Sequence, residues 1–375
     1  MADEHMVSII EERMDRLLGE YLDQWSGASA GLPDQLVRAV SQQARASNQG
    51  GKRLRAQLLI ASYSAACTRS VSSQPPAVPV PDDVLDLACA LELFQTAALV
   101  HDDIIDAASQ RRGQPSAYVA LSARLAELSG QPIDDSIEGG QALGILLGDI
   151  LAAAATATAS RACELLPQAS SIRQAFLDME GAVDFGQVLD LAMESMDMND
   201  TQALTAASWQ TMVKKTASYT CIAPLELGWL AAGVSANVAH NTALAAGTDL
   251  GVAYQLHDDL IDITAQGGSS GKPVGGDIRE GKRTWLLAQA LNLSCANQRQ
   301  EIISYYQSAQ RDTNAVEAVS RIFADCGALD ATRQRIGQLR SSGGRQLQEA
   351  CQQLGVSQAG AELLDQALVQ LLPMD

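Results

Sequence analysis

The chain has 375 residues, a formal net charge of −18 and an apolar fraction of 47%, of which aromatics supply only 4%. So acidic a protein is repelled by nucleic acid and by anionic membrane surfaces, and both are excluded as partners. The alanine-rich, aromatic-poor composition suits closely packed helices better than sheets.

The seven cysteines (Cys67, Cys89, Cys163, Cys221, Cys295, Cys326 and Cys351) form no CxxC pair and no zinc-like cluster. They read as reduced, mostly buried small hydrophobes in a cytoplasmic protein. The N-terminus begins acidic and becomes amphipathic, unlike a signal or transit peptide, and no window reaches about 18 uninterrupted apolar residues, so stable membrane insertion is not expected.

Apolar residues at Val7, Ile10, Met14, Leu17, Leu18 and Tyr21 recur every three or four positions, predicting an N-terminal packing helix over 6–25 with a connector to about 45. Gly50-Gly51-Lys52-Arg53-Leu54-Arg55 then sets three bases beside a flexible diglycine, ahead of an apolar helix over 58–66. Basic side chains beside a Gly-rich helix start suit an anion; a helix start with solvated cations is the plainer alternative. The Pro- and Ser-rich stretch 68–81 predicts an exposed connector.

An apolar helix over 84–100 leads into LVHDDIIDAASQRRGQPS, where Asp102, Asp103 and Asp106 are followed by Arg111 and Arg112. Residues four apart share a helical face, so Asp102 and Asp106 point the same way, about 6 Å apart along the axis. Clustered carboxylates repel one another, and near a helix C-terminus the dipole gives them no relief. A magnesium ion would, since it takes one or two carboxylates together with phosphate oxygens.

Next come a helix over 118–128, a polar Gly/Pro/Asp insertion at 129–140 expected as a surface loop, and an alanine-rich helix over 141–162. A helix over 175–198 carries Phe185, Gly186, Gln187 and Asp190; another over 209–232 carries Lys214, Lys215 and Thr216, with a break or kink expected at Pro224. A Lys-Thr pair in an apolar helix needs an anion as partner or a path for the lysine to solvent.

The acidic pattern then returns as YQLHDDLIDI, with Asp258, Asp259 and Asp262 at the first stretch's spacing and a histidine, His257, again in front. One DDxxD is more often a solvated helix face; two, each after a long apolar helix, point to a pair of metal-binding faces. The stretch 266–282 resembles a nucleotide P-loop only superficially, because Pro273 stands where the Mg-binding Ser/Thr belongs. It reads as a flexible loop presenting Lys272 and Lys282 to a phosphate. Amphipathic helices fill 285–375, with turns expected near Asn297, Gly327 and Gly343-Gly344. No period-two run is sustained anywhere, so the expected fold is an all-α bundle forming a single domain over 1–375.

GGKRLR, DDIID with its RRG, Lys215-Thr216, and QLHDDLID followed by GKPVGGDIREGK occur together in an order and spacing that closely resemble the trans-isoprenyl diphosphate synthases, the polyprenyl synthetase family. That resemblance implies an isoprenoid synthase-type helical bundle around a central cavity, with the two aspartate-rich helices facing across its mouth. It also implies a homodimer, with isopentenyl diphosphate and an allylic diphosphate as substrates.

Carried over by position, Asp102, Asp106 and Asp258 resemble the principal ligands of about three Mg²⁺ ions, with Asp103, Asp259 and Asp262 assisting. Lys52, Arg55, Gln95 and Arg112 resemble the isopentenyl diphosphate site, and Arg111, Lys215, Thr216, Gln255, Lys272 and Lys282 the allylic diphosphate site. Ala56 departs from the family, which commonly has proline there. The implied reaction is metal-assisted ionisation of the allylic diphosphate and head-to-tail attack by isopentenyl diphosphate, with Lys215, Thr216 and Gln255 offering dipoles near the cation.

Ala97 and Ala98, one turn before Asp102, lie about 6–7 Å below it along the helix. Bulky aromatics there stop growth at farnesyl in the resembling family, so two alanines imply geranylgeranyl diphosphate, with Phe94 or Phe185 setting a floor. His101 and His257 are expected to pack or to support the aspartates rather than bind zinc. A terpene cyclase would not need GGKRLR or Arg112, and a silent synthase subunit would be expected to have lost aspartates or the RRG; here all are intact.

Overall fold

The computed structural model describes residues 2–25, 31–70, 80–264, 275–308 and 312–373. In chain order its helices are α1 (Ala2–Asp23), α2 (Leu32–Ser47), α3 (Leu54–Cys67), α4 (Asp82–Ile105), α5 (Ala117–Ser129), α6 (Ile137–Ala162), α7 (Ala169–Met193) and α8 (Thr201–Thr211). After α8 the chain widens into a π-helical segment, Met212–Ile222, and then continues as α9 (Ala223–Ala231) and α10 (Ala236–Thr264). The C-terminal part is α11 (Gly276–Glu280), α12 (Trp285–Leu293), α13 (Ala296–Gln307), α14 (Thr313–Asp325), α15 (Ala328–Leu354) and α16 (Gln358–Leu371). The sheet among the described residues is one two-residue antiparallel pair between α4 and α5, β1 (Gln110–Arg111) with β2 (Gln114–Pro115).

The all-α expectation is met. Ile10, Met14, Leu17, Leu18 and Leu22 make the buried stripe of α1 that their spacing predicted. The main core runs through α1, α3, α4, α6, α7, the π segment, α9, α10, α15 and α16, and α4 packs along α6. A smaller core joins α12, α13 and α14 to Leu204 of α8 and Ile278 of α11. Helices 82–105 and 134–165 are long and apolar enough to span a membrane by length and composition alone; the first is 72% buried within the bundle.

Several local expectations change. The insertion at 129–140 is mostly ordered helix: after Gly130 a short 3₁₀ turn at Asp134–Ser136 leads straight into α6, which begins four residues earlier than its alanine-rich stretch suggested. Gly343 and Gly344 make no turn but lie inside α15, where a Cβ on Gly343 would come within 2.7 Å of Leu250 and 3.2 Å of the Ala246 carbonyl. Gly343 allows close helix packing against α10, whereas a Cβ on Gly344 would meet open space. The turn expected near Asn297 falls at Ser294 and Cys295, between α12 and α13, and Gly327 adopts the left-handed φ of a turn. Near Pro224 the deviation is the π segment itself, after which Pro224 falls in the first turn of α9, where its missing N–H costs nothing. Most of the 68–81 connector and Lys272 lie outside the described residues.

Candidate active site

Helix α4 ends at Ile105 with Asp106 as its C-cap, so Asp102, Asp103 and Asp106 lie at its C-terminal end as expected, where the dipole does not help them. Side-chain cations compensate. Lys215 Nζ donates to Asp102 Oδ1 at 3.1 Å and to Asp190 Oδ2 of α7 at 2.6 Å. Lys282 Nζ reaches Asp106 Oδ2 at 2.6 Å across 176 residues of sequence. Arg111 folds back over the turn and gives both Nε and Nη2 to Asp103 Oδ1, with Nη2 also 3.6 Å from Asp102.

Burial pushes the Asp102 carboxyl upward, but Lys215, Lys282 and Arg111 outweigh it and hold the group below the usual carboxylate range. Lys282 is desolvated too, yet Asp277, Asp102 and Asp106 raise it above an ordinary lysine, so it stays charged.

The second acidic stretch ends α10. Thr216 Oγ1 of the π segment donates to Gln255 Oε1 at 2.6 Å, and Gln255 Nε2 then donates to Asp259 Oδ1 at 2.7 Å. The two oxygens of Asp262 are occupied differently: Oδ1 accepts from Gly276 N at 3.2 Å and Oδ2 from Asp277 N at 3.0 Å. Asp262 therefore caps the short α11, the element that delivers Asp277 and Lys282. Burial lifts Asp259 well above the carboxylate range, with Asp277 adding to the shift, and burial lifts Asp277 to about 7.

A cavity of about 90 Å³ gathers Asp190, Lys215, Thr216, Gln255, Asp259, Asp277, Lys282 and Arg283. A second, of about 280 Å³, brings Lys52, Arg55, Gln95 and Arg112 together with Asp258, His257 and Tyr254. The four residues assigned to one diphosphate thus share one pocket, and Lys215, Thr216, Gln255 and Lys282 share the other. Arg111 stands apart from both, on Asp103. His101 contacts the Ile145 carbonyl at 3.1 Å and Asp149 at 3.4 Å on the α6 side, whereas His257 lines the second pocket beside Asp258.

The backbone at the basic pocket is unusual. Gly50 and Gly51 have φ of 73° and 108°, and the non-glycine residues with left-handed φ among the described residues are Arg53, Ala107 and Arg112. All three flank the site, as stored backbone strain tends to. Arg112 Nη1 donates to the carbonyls of Gln49 and Gly50 at 2.8 and 2.9 Å, pinning the hairpin to the diglycine loop. Burial, with Arg53 and Arg111 close by, holds its guanidinium below its ordinary value. Such crowded positive charge is what an anion relieves.

Glu92, which the sequence marked only as the single acid in the apolar run 87–100, is 2% exposed and accepts from the Ala56 backbone N–H at 3.1 Å. A proline at 56 could not make that bond. Asp190, Asp277, Tyr254 and Glu92 are site residues to which sequence reasoning gave no role. Phe185 is the opposite case: it is 70% exposed, because the face of α7 against the π segment is Val183, Gly186 and Asp190. A Cβ on Gly186 would lie 2.3 Å from the Lys215 backbone, and that close approach brings Asp190 to the lysine. Ala97 is buried in α4 and Ala98 partly so, while Phe94 meets Tyr219 edge to face at 6.4 Å.

Among the described residues no three acidic, histidine or cysteine side chains converge to hold a metal by themselves. Hard carboxylate oxygens lining a cleft nevertheless fit magnesium, which keeps waters and shares its shell with substrate phosphates. The ammonium groups of Lys215 and Lys282, at 3.1 and 2.6 Å from Asp102 and Asp106, mark where positive charge is stabilised.

The polyprenyl synthetase family model matches residues 37–323. The short chain isoprenyl diphosphate synthase of Methanothermobacter thermautotrophicus is 30% identical over 301 residues, covering 80% of this chain and 79% of that one. The geranylgeranyl diphosphate synthase of Methanosarcina mazei is 29% identical over 75% of this chain and 74% of its own. Among solved structures, geranylgeranyl pyrophosphate synthase from Corynebacterium glutamicum, complexed with isoprenyl diphosphate and magnesium, superposes with a TM-score of 0.82 at 29% identity, covering 97% of this chain and 98% of that one. The chain belongs to the polyprenyl synthetase family and is a trans-prenyltransferase that elongates an allylic diphosphate with isopentenyl diphosphate.

Proposed function

We propose that the product is geranylgeranyl diphosphate and that the two pockets divide the two diphosphates between them. The separation of Lys52, Arg55, Gln95 and Arg112 from Lys215, Thr216, Gln255 and Lys282 is the observation that carries this division. The first group binds isopentenyl diphosphate. The second, with Arg111 and Lys272, binds the allylic diphosphate.

Asp102, Asp106 and Asp258 would hold magnesium, three ions in all, with Asp103 and Asp259 supporting them. Bound there, the metal supplies counter-charge to the departing diphosphate. Lys215 and Lys282 give the same group charged hydrogen bonds as its C–O bond breaks and the electron pair leaves with it. The carbonyl of Gln255 and the hydroxyl of Thr216 present dipoles to the allylic cation. The double bond of isopentenyl diphosphate then closes the new C–C bond, and a proton is lost to the released diphosphate.

Small side chains at Ala97 and Ala98, the similarity to geranylgeranyl diphosphate synthases and the exposure of Phe185 support growth beyond farnesyl. We further propose a cytoplasmic homodimer: the cysteines are unpaired, and Ile145 and Leu146 of α6, with Phe185 and Val188 of α7, leave large apolar side chains in solvent. Incubating the purified protein with isopentenyl diphosphate and each allylic primer, then sizing the dephosphorylated products, tests the assignment. A wild type that stops at farnesyl refutes the product length, and one that makes no prenyl product refutes the substrate division. Sedimentation equilibrium tests the dimer.

A further inference from the structure

The π segment lines the first pocket with Met212, Lys215 and Thr216 and reaches the second through Arg55. Two of its threonines, four residues apart, each hold a side chain that belongs to a different one: Thr216 donates to Gln255, and Thr220 accepts from Arg55 Nη2 at 2.7 Å. Thr220 is completely buried, and Arg55 is only 4% exposed. The guanidinium of Arg55 lies 4.0 Å over the Tyr219 ring, so its plane is set by Tyr219 and its rotation within that plane by Thr220. Arg55 Nε is buried without a partner while the side chain lines the basic pocket. A buried charged donor left unpaired is costly, and a phosphate oxygen in that pocket would satisfy it.

We infer that Thr220 is a positioning residue for the second substrate: it fixes the guanidinium of Arg55 so that its remaining N–H edge meets the isopentenyl diphosphate, as Thr216 fixes Gln255 on the allylic side. The inference rests on reading the pocket of Lys52, Arg55, Gln95 and Arg112 as the isopentenyl diphosphate site. The wide turn of the segment supports both assignments at once. An i→i+5 stretch places an additional residue in its turns, and such stretches recur at functional sites.

Thr220→Val keeps the side-chain shape and removes the acceptor, and Thr220→Ser restores it. Isopentenyl diphosphate affinity is measured by calorimetry with magnesium and no allylic primer, and both Michaelis constants are measured by steady-state transfer. The expected result is a rise of at least about tenfold in Kd and KM for isopentenyl diphosphate in Thr220→Val, the cost of one hydrogen bond to a charged group. The allylic KM and kcat should stay within about twofold, and Thr220→Ser should recover most of the loss. Should Thr220→Val fail to fold, Thr220→Ala carries the same measurement. An unchanged Kd in a folded variant, or equal rises in both Michaelis constants, overturns the role of Thr220 while leaving the pocket assignment standing. A wild type without prenyl transfer overturns that assignment and the inference together.

Discussion

In the first acidic stretch every carboxylate meets a side-chain cation: Asp102 meets Lys215, Asp103 meets Arg111 and Asp106 meets Lys282. In the second, Asp259 accepts from the amide of Gln255 and Asp262 from two backbone amides of α11. The spacing is the same, and the amide partners of Asp259 and Asp262 differ in kind from the cations on Asp102, Asp103 and Asp106. An ammonium on a flexible stem can exchange one anion for another, whereas a backbone amide at a helix start cannot leave without unwinding the helix. Three acids at identical spacing are therefore held in different ways: Asp258 lines the basic pocket, Asp259 accepts from Gln255, and Asp262 caps α11.

The largest expected effect breaks the symmetry of the first stretch. Asp102→Ala should lower kcat by roughly a hundred- to a thousandfold, the usual cost of removing a preorganised electrostatic stabiliser, and Asp258→Ala should do the same. Both variants should retain their thermal stability. Substantial turnover in magnesium by either one would dissolve the idea that the two stretches act as a pair.

Arg112→Ala comes next. It removes a charged contact from one pocket only and should weaken isopentenyl diphosphate use by roughly 1.5–3 kcal/mol while sparing the allylic KM. Equal changes in both Michaelis constants would mean that the pockets are not divided. Ala98→Phe and Ala97→Phe act below the first stretch, and product chromatography should show the chain length falling toward farnesyl with magnesium dependence unchanged.

Asp262→Asn sharpens the contrast most directly. Asparagine can still accept one of the two α11 amide bonds, so activity should fall only a few-fold and the magnesium optimum should not move. Asp258→Asn should behave like Asp258→Ala. A Mg²⁺ titration of both asparagine variants decides the matter, and a steep loss of metal affinity in Asp262→Asn would place that residue among the ligands after all.

The smallest effect concerns an acid outside both stretches. Glu180 of α7 accepts from Thr156 at 2.7 Å, and burial raises its carboxyl to about 7. Its folded pKa lies above its unfolded one, so the folded state holds the extra proton and stability falls as pH rises from the ordinary glutamate range through about 7. Glu180→Gln should flatten that part of a melting-temperature profile between pH 5 and 8 by a few degrees at most. An identical profile would mean that the group is solvated.

The fold was largely legible in the residues because helical periodicity and capping are local. The stripe of α1, the long apolar run of α4 and the acids at its end needed no tertiary knowledge. Glycine misled at Gly343-Gly344, where Leu250 on another helix makes the small residue necessary, and the polar stretch at 129–140 hid the start of α6. The π segment has no sequence signature separating it from an α-helix, since it differs by one residue of register over Met212–Ile222. In the site, residue types at fixed spacing identified Asp102, Asp106, Lys52 and Arg112. The partners of the neighbouring site residues, Asp190 on Lys215, Glu92 on the Ala56 amide, Thr220 on Arg55 and the α11 amides on Asp262, lie tens to more than a hundred residues away or belong to the backbone. Pairing across such distances is a property of the packed chain.

The lysines of the first stretch have a bearing on how the enzyme answers to its ionic surroundings. Lys215 and Lys282 are already largely withdrawn from water, with side chains 24% and 18% exposed, and already neutralised by acids of the same molecule. On the proposed assignment of Lys215 and Lys282 to the allylic diphosphate, a polyanion entering the cleft would trade places with Asp102 and Asp106 instead of stripping hydration from free ammonium groups. Most of the dehydration was completed during folding, and dissolved salt competes poorly for charges so placed. A strongly acidic protein can in this way keep a standing affinity for phosphates in media where exposed lysines would be screened.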